Sequence, residues 1–151
     1  MKTVAENKKA RFDYEILDTV EAGIELRGDE VKSIRNNSAS LSDSYAIVSK
    51  GQIVLLNCYI APYTHSYVKS IDDTTRRSRT LLLHKKEINR MIGDVSRKGL
   101  TLIPLKMYFN ERGYCKVLLG LAKHKKSVDK KRELKEKDIK RETQRIIRGK
   151  I

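Results

Sequence analysis

A chain of 151 residues with 33 Lys and Arg against 19 Asp and Glu has a formal net charge of +14, and it is long enough to bury one hydrophobic core unaided. A field of that sign draws polyanions, and the apolar runs at 53–56 and 117–122 are far shorter than the ~20 residues of a membrane-spanning helix. The N-terminal residues turn to charge before a signal-peptide core forms, and the Arg148-Gly149-Lys150-Ile151 ending matches no lipidation signal, so a cytoplasmic address without a membrane is expected.

The first element in chain order is set by alternation. Apolar residues recur at Phe12, Tyr14 and Ile16, then at Val20, Ala22, Ile24 and Leu26, with only Asp18 breaking the pattern. Period two over this length predicts two strands with one buried face, bent near 18–23. Gly28–Arg35 predicts a short helix, with Asp29 as N-cap and Val31 and Ile34 on one face. Residues 44–48 and 53–60 form a hairpin about Ser49-Lys50-Gly51-Gln52. Residues 61–80 are polar and hold Pro62, Asp72, Asp73 and the basic trio Arg76, Arg77 and Arg79, which predicts a mobile loop.

A short strand follows at 81–83. Ile88, Met91, Ile92 and Val95 then mark an amphipathic helix over 85–98, closed by Gly99. Residues 100–109 and 114–122 make a second hairpin, whose Pro104 requires an edge or a bulge. The expected fold is mainly β with flanking helices, an antiparallel barrel of about six strands resembling the oligonucleotide-binding (OB) fold.

Charge divides the chain into a body, 1–122, and a tail, 123–151. The tail holds 13 Lys and Arg against 5 Asp and Glu, a net +8, and the body 20 against 14, a net +6. Glu133/Lys137 and Glu136/Lys140 are favourable i,i+4 pairs, but no apolar face is wide enough to dock. The tail is expected to be disordered alone and helical once a polyanion neutralises it.

Catalytic parts are missing from the sequence. His65, His84 and His124 are dispersed, no glycine loop cradles a phosphate, Asp72-Asp73 resembles a solvated turn, and Cys58 and Cys115 lie in predicted strands without metal-ligand spacing. No cofactor and no enzymatic activity are expected. Binding parts are present: basic residues for phosphates, and Phe12, Tyr14, Tyr45, Tyr59, Tyr63 and Tyr67, one or two of which are expected to stack on unpaired bases.

Five blocks then stand in register. They are Asn7-Lys8-Lys9-Ala10-Arg11-Phe12-Asp13-Tyr14 with Glu21-Ala22-Gly23-Ile24; Gly28-Asp29-Glu30-Val31-Lys32-Ser33-Ile34-Arg35; Asp43-Ser44-Tyr45; Arg77-Ser78-Arg79-Thr80-Leu81-Leu82-Leu83-His84-Lys85-Lys86-Glu87-Ile88; and Lys98-Gly99-Leu100-Thr101-Leu102-Ile103-Pro104-Leu105. From Asn7 to about Arg145 the chain closely resembles the SmpB (SsrA-binding protein) family. The resemblance implies an OB-like barrel that binds the transfer-RNA-like domain of transfer-messenger RNA (tmRNA) in place of an anticodon arm. It implies delivery of that RNA to stalled ribosomes, at the decoding centre of the small subunit, with the tail in the empty message channel. Elongation factor Tu is an indirect partner through the charged RNA, and a monomer is expected.

The family's RNA contacts fall on Asn7, Tyr14, Glu21, Gly23 and Leu82, and its tail contacts on Lys123, His124, Lys125, Lys126, Asp129, Lys130, Lys131 and Arg132. Three departures stand out. His124 replaces a glycine, and Val128 occupies the place of a stacking aromatic or histidine, with His124 the candidate to take over that stacking. The arginine loop lacks the usual proline after Asp73 and is one residue longer. The alternative is a general RNA-binding or ribosomal protein.

Overall fold

A computed structural model describes residues 2–62 and 75–125. Six strands close a ring: β2 (Tyr14–Ile24), β4 (Tyr45–Ser49), β5 (Gln52–Leu56), β7 (Arg79–Leu82), β8 (Thr101–Phe109) and β9 (Cys115–His124). The circuit runs β8-β4-β5-β7-β2-β9 and returns to β8, antiparallel throughout. It is not a regular barrel, because β4 meets β8 only at Ala46↔Leu102. The rest of that edge of β8 pairs with β1 (Lys2–Glu6), from Lys2↔Phe109 to Glu6↔Lys106. A separate pair, β3 (Ala39–Ser40) with β6 (Tyr59–Ile60), lies beside the ring. The expected count of about six matches the ring; β1, β3 and β6 add to it.

The interior is apolar. Ala22, Ile53, Leu55, Met107, Val117 and Leu119 are fully buried, together with Ile34 of α2 (Gly28–Arg35) and Met91 of α3 (Lys85–Lys98). Burying such a Leu, Ile or Met side chain stabilises by about 1.5–3 kcal/mol, which holds both helices on the ring. α3 ends as its sequence predicts: Gly99 adopts φ 62°, the left-handed conformation that glycine reaches without a Cβ penalty. α2 spans the expected residues, but its N-cap is Arg27, two residues before Asp29. Its capping carboxylate is that of Glu30, which accepts the Arg27 N–H at 2.9 Å.

Two readings of the β2 region are corrected. It is one strand carrying a bulge, not two strands: Ile16 faces Ala122 and Asp18 faces Leu121, so Leu17 has no cross-strand partner and is 50% exposed. The extra residue is why Asp18 breaks the alternation. Asp18 is also tied to α3 by Arg90, at 2.8 Å. Phe12, expected in a strand, belongs to the single-turn helix α1 (Ala10–Asp13). Ala10 seats this turn on the outside of the ring, over Ile103, Leu105 and Ala122.

The hairpins form as expected. Lys50 and Gly51 both have positive φ, 51° and 75°, the two-residue turn that suits strand twist. Pro104 sits at a register shift between Pro104 and Lys106, a bulge. The predicted strand over 53–60 is interrupted instead at Asn57, φ 60°, which turns the chain into β6. Cys58 is therefore buried between strands, and Cys115 is half-buried at the start of β9. Burial pushes both thiols up, to about 11 and about 12, so both remain protonated and inert at neutral pH.

Candidate nucleic-acid interface

The strand period of two separates β2, β8 and β9 into inward and outward residues. Val117, Leu119 and Leu121 of β9 point into the core, so Lys116 and Leu118 point out. The register then lines up one cross-strand row of Leu82, Gly23, Lys116 and Tyr108. The next row holds Glu21, Leu118 and Lys106. A Cβ on Gly23 would stand 3.3 Å from Leu82 Cβ. Glycine therefore lets the Leu82 side chain lie across β2, where it remains 50% exposed. The Tyr108 hydroxyl donates a hydrogen bond to Glu21 Oε2, and Lys106 Nζ lies 5.4 Å from the Tyr108 ring centre. The result is an apolar ledge, a carboxylate and two lysines on one outward patch.

Asn7 and Tyr14 lie at the other end of the same face, roughly 23 Å along β2 from Glu21 at about 3.3 Å per residue. Asn7 is fixed at the Pro104 bulge: its N–H donates to Leu105 O at 2.8 Å and its side-chain amide to Pro104 O at 3.1 Å. Tyr14 faces His124 across β2 and β9, their rings 4.8 Å apart and tilted by 54°. A shallow cleft of about 390 Å³ runs from Asn7 to Lys106 and Leu118 of the second row, lined also by Glu6, Lys8, Arg11 and Leu105. The fold thus brings Glu21, Gly23 and Leu82 side by side and places Asn7 and Tyr14 on the continuation of that surface.

Several expectations change here. Lys123 and His124, read as the first tail residues, complete β9. Lys125 follows, its N–H bonded to Asp13 O at 3.0 Å and its ammonium to Arg11 O at 2.9 Å. The His124 ring lies against Tyr14, within the folded body. Lys126, Val128, Asp129, Lys130, Lys131 and Arg132 lie outside the described residues, as do Tyr63, His65, Tyr67, Asp72 and Asp73.

Arg76 and Arg77 precede β7, Arg79 lies within it, and all three bond to the folded body. Arg79 opens β7 and is 1% exposed. Its guanidinium donates to Glu30 Oε2 at 2.9 and 2.6 Å and to Cys58 O at 2.6 Å. Arg77 donates to both Glu30 oxygens, and Arg76 covers the Tyr59 ring at 5.4 Å while bonding Asn57. Burial alone raises the Glu30 carboxyl, but hydrogen bonds from Arg77, the Arg27 amide and Arg79, with the Arg79 charge, outweigh it and hold the group below the usual carboxylate range. Two of the three arginines therefore serve a buried ion pair. Of the aromatic candidates, Tyr59 is covered, Phe12 is half-buried in α1, and Tyr45 is exposed.

Among the described residues no helix is long and apolar enough to cross a membrane, and no three His, Cys, Asp or Glu gather as metal ligands. Tyr108, Lys106 and Lys116 belong to this patch, and the sequence pattern does not single them out. Period two in β8 and β9 places them on one face, but only the register across the β2–β9–β8 strands shows that they flank Glu21.

Comparison with known proteins gives the family of the chain. The SmpB protein family model matches residues 4–149. The SsrA-binding protein of Chlorobaculum tepidum is 55% identical over 144 residues, 95% of this chain and 90% of its own length. That of Thermus thermophilus is 53% identical over 141 residues, 93% and 96% of the two chains. A solved chain described as "tmRNA-SmpB: a journey to the center of the bacterial ribosome" superposes with a TM-score of 0.65 at 56% identity, covering 81% of this chain and 84% of that one. With nearly its whole length matched, this chain belongs to the SmpB family.

Proposed function

We propose that this chain binds tmRNA and delivers it to stalled ribosomes for trans-translation, so that the nascent chain is tagged. The folded body, extended to Lys125 because β9 runs through His124, stands in for an anticodon arm. The basic residues beyond it, among them Lys126, Lys130, Lys131 and Arg132, with Asp129 between them, probe the empty message channel. The reading gives the protein no catalytic step and places it in the cytoplasm with the ribosome. Elongation factor Tu meets it only through the charged RNA.

One observation carries the reading. Glu21, Gly23 and Leu82, contact positions implied by the family and drawn from two distant parts of the sequence, form a single patch, in which Glu21 and Leu82 are exposed and Gly23 is buried between them. Each has a role there that suits RNA. Leu82 offers an apolar surface to an unstacked base, the buried Gly23 lets that side chain lie across β2, and Glu21 accepts hydrogen bonds from a base or sugar edge. Asn7 and Tyr14 extend the contact past the cleft, and Lys106 and Lys116 supply phosphate contacts that position without selecting sequence.

The test is a comparison of tmRNA with ordinary transfer RNA in direct binding at physiological salt. The tmRNA is expected to bind at least about ten-fold tighter, a difference of about 1.4 kcal/mol. Equal affinities would return the protein to general RNA binding or to a ribosomal role.

A further inference from the structure

We infer that Tyr108 is a positioning residue for RNA recognition: its hydroxyl holds the Glu21 carboxylate so that Oε1 is left to accept a hydrogen bond from an RNA donor, a base N–H or a ribose 2′-hydroxyl, rather than to meet a phosphate. The inference rests on the proposed function, in which the Glu21 patch is the RNA face.

Tyr108 is only 4% exposed, yet it belongs to neither apolar cluster of the protein. Its ring stands in the outward row with Lys116 and Gly23. A phenol buried on the outside of the ring adds little to the core, so its burial serves the patch. The hydroxyl donates to Glu21 Oε2 from 87 positions away in sequence, and among the described residues nothing donates to Oε1. Burial first, then the hydrogen bond to Glu21 and its charge, push the phenol up to about 12. It therefore stays protonated, a donor at every physiological pH.

The chemistry of the pair decides what it recognises. An ionised carboxylate has acceptors and no donor, and its charge repels phosphate oxygens. A negative group on the RNA face of a +14 chain is suited to the donor-bearing parts of RNA, which are base edges and 2′-hydroxyls. A free glutamate would lose rotamer freedom on binding, and a side chain already held by Tyr108 loses less.

The experiment is a binding cycle with Tyr108→Phe, Glu21→Ala and the double variant of the full chain, measured on an RNA carrying the transfer-RNA-like domain. Thermal unfolding is followed alongside. Phenylalanine keeps the ring and its contact with Lys106. Tyr108→Phe is expected to weaken binding roughly 3- to 10-fold in the wild-type background and to have no further effect, within about two-fold, when Glu21 is already alanine. Equal losses in both backgrounds would mean that Tyr108 acts by packing or by direct contact, and would overturn the inference. So would an unchanged affinity of the single Tyr108 variant. If Glu21→Ala itself binds like the wild type, the Glu21 patch is not the RNA face, and the underlying reading fails first. Scanning the RNA with inosine for guanosine and with 2′-deoxy sugars locates the donor. The responsible substitution weakens the wild type and leaves Glu21→Ala unaffected, and a scan in which no substitution does so removes the donor assignment.

Discussion

Replacing Glu30 with Ala lowers the stability of the protein by about 3–5 kcal/mol, because it removes the carboxylate that pairs with the buried Arg79 guanidinium. For a chain of this length that corresponds to a fall in Tm of roughly 6–20 °C. The loss has two further parts: Arg77 loses its partner, and the Arg27 N–H at the start of α2 loses its cap. Thermal or urea unfolding measures it, and an unchanged midpoint would refute the account of the ion pair. Replacing Glu30 and Arg79 together by Leu and Met is expected to recover much of the loss, since a buried pair is stabilising mainly by comparison with half of itself.

The same carboxylate has a pH signature. Its folded pKa is depressed, so its contribution is complete above the unfolded value near 4.3 and is lost as the pH falls through the lower folded value. The stability gap between wild type and Glu30→Ala should therefore be constant from neutral pH to about pH 5 and narrow below about pH 4. The structural consequence reaches the proposed RNA face. Arg79 anchors the start of β7, and Leu82 ends that strand beside Gly23.

Local chemistry is legible in the sequence where it alone decides the outcome. The spacing of Ile88, Met91 and Val95 with Gly99 fixes α3 to the residue, and the two hairpin turns carry their own conformational signals. Asp18 marks the irregularity in β2, although its nature as a bulge shows only when Ile16 and Asp18 are set against Ala122 and Leu121. Phe12 is misplaced by pattern alone because one helical turn entering a strand can imitate alternation: Phe12, Tyr14 and Ile16 fit period two while the backbone changes at Tyr14.

Long-range pairing is hidden. Arg77 and Arg79 sit in a polar stretch that looks like any solvated loop, and it is Glu30, 47 and 49 residues upstream, that makes them structural. The candidate site divides in the same way. The motif positions Glu21, Gly23 and Leu82 can be named from resemblance, but Tyr108 is attached to Glu21 by ring closure, which no local pattern encodes.

Cutting the chain at two points three residues apart separates the two surfaces proposed for it. Removing residues 126–151 takes away 11 Lys and Arg and 5 Asp and Glu, a net +6, and leaves β9, the Tyr14–His124 contact and both Lys125 bonds in place. Binding to the isolated transfer-RNA-like domain is expected to stay within about three-fold, under 1 kcal/mol, while tagging on stalled ribosomes is abolished. Removing residues 123–151 also deletes the end of β9 and uncovers Tyr14, so this variant is expected to lose RNA affinity as well. On ribosomes the shorter deletion should flatten the salt dependence of binding, by about 0.7–0.9 in log–log slope for each phosphate that the tail no longer neutralises. If the 126–151 deletion impaired tmRNA binding as severely as tagging, body and tail would not be separate surfaces. If it tagged normally, the basic segment would have no part in sensing an empty channel, and the rescue function would reside in the ring alone.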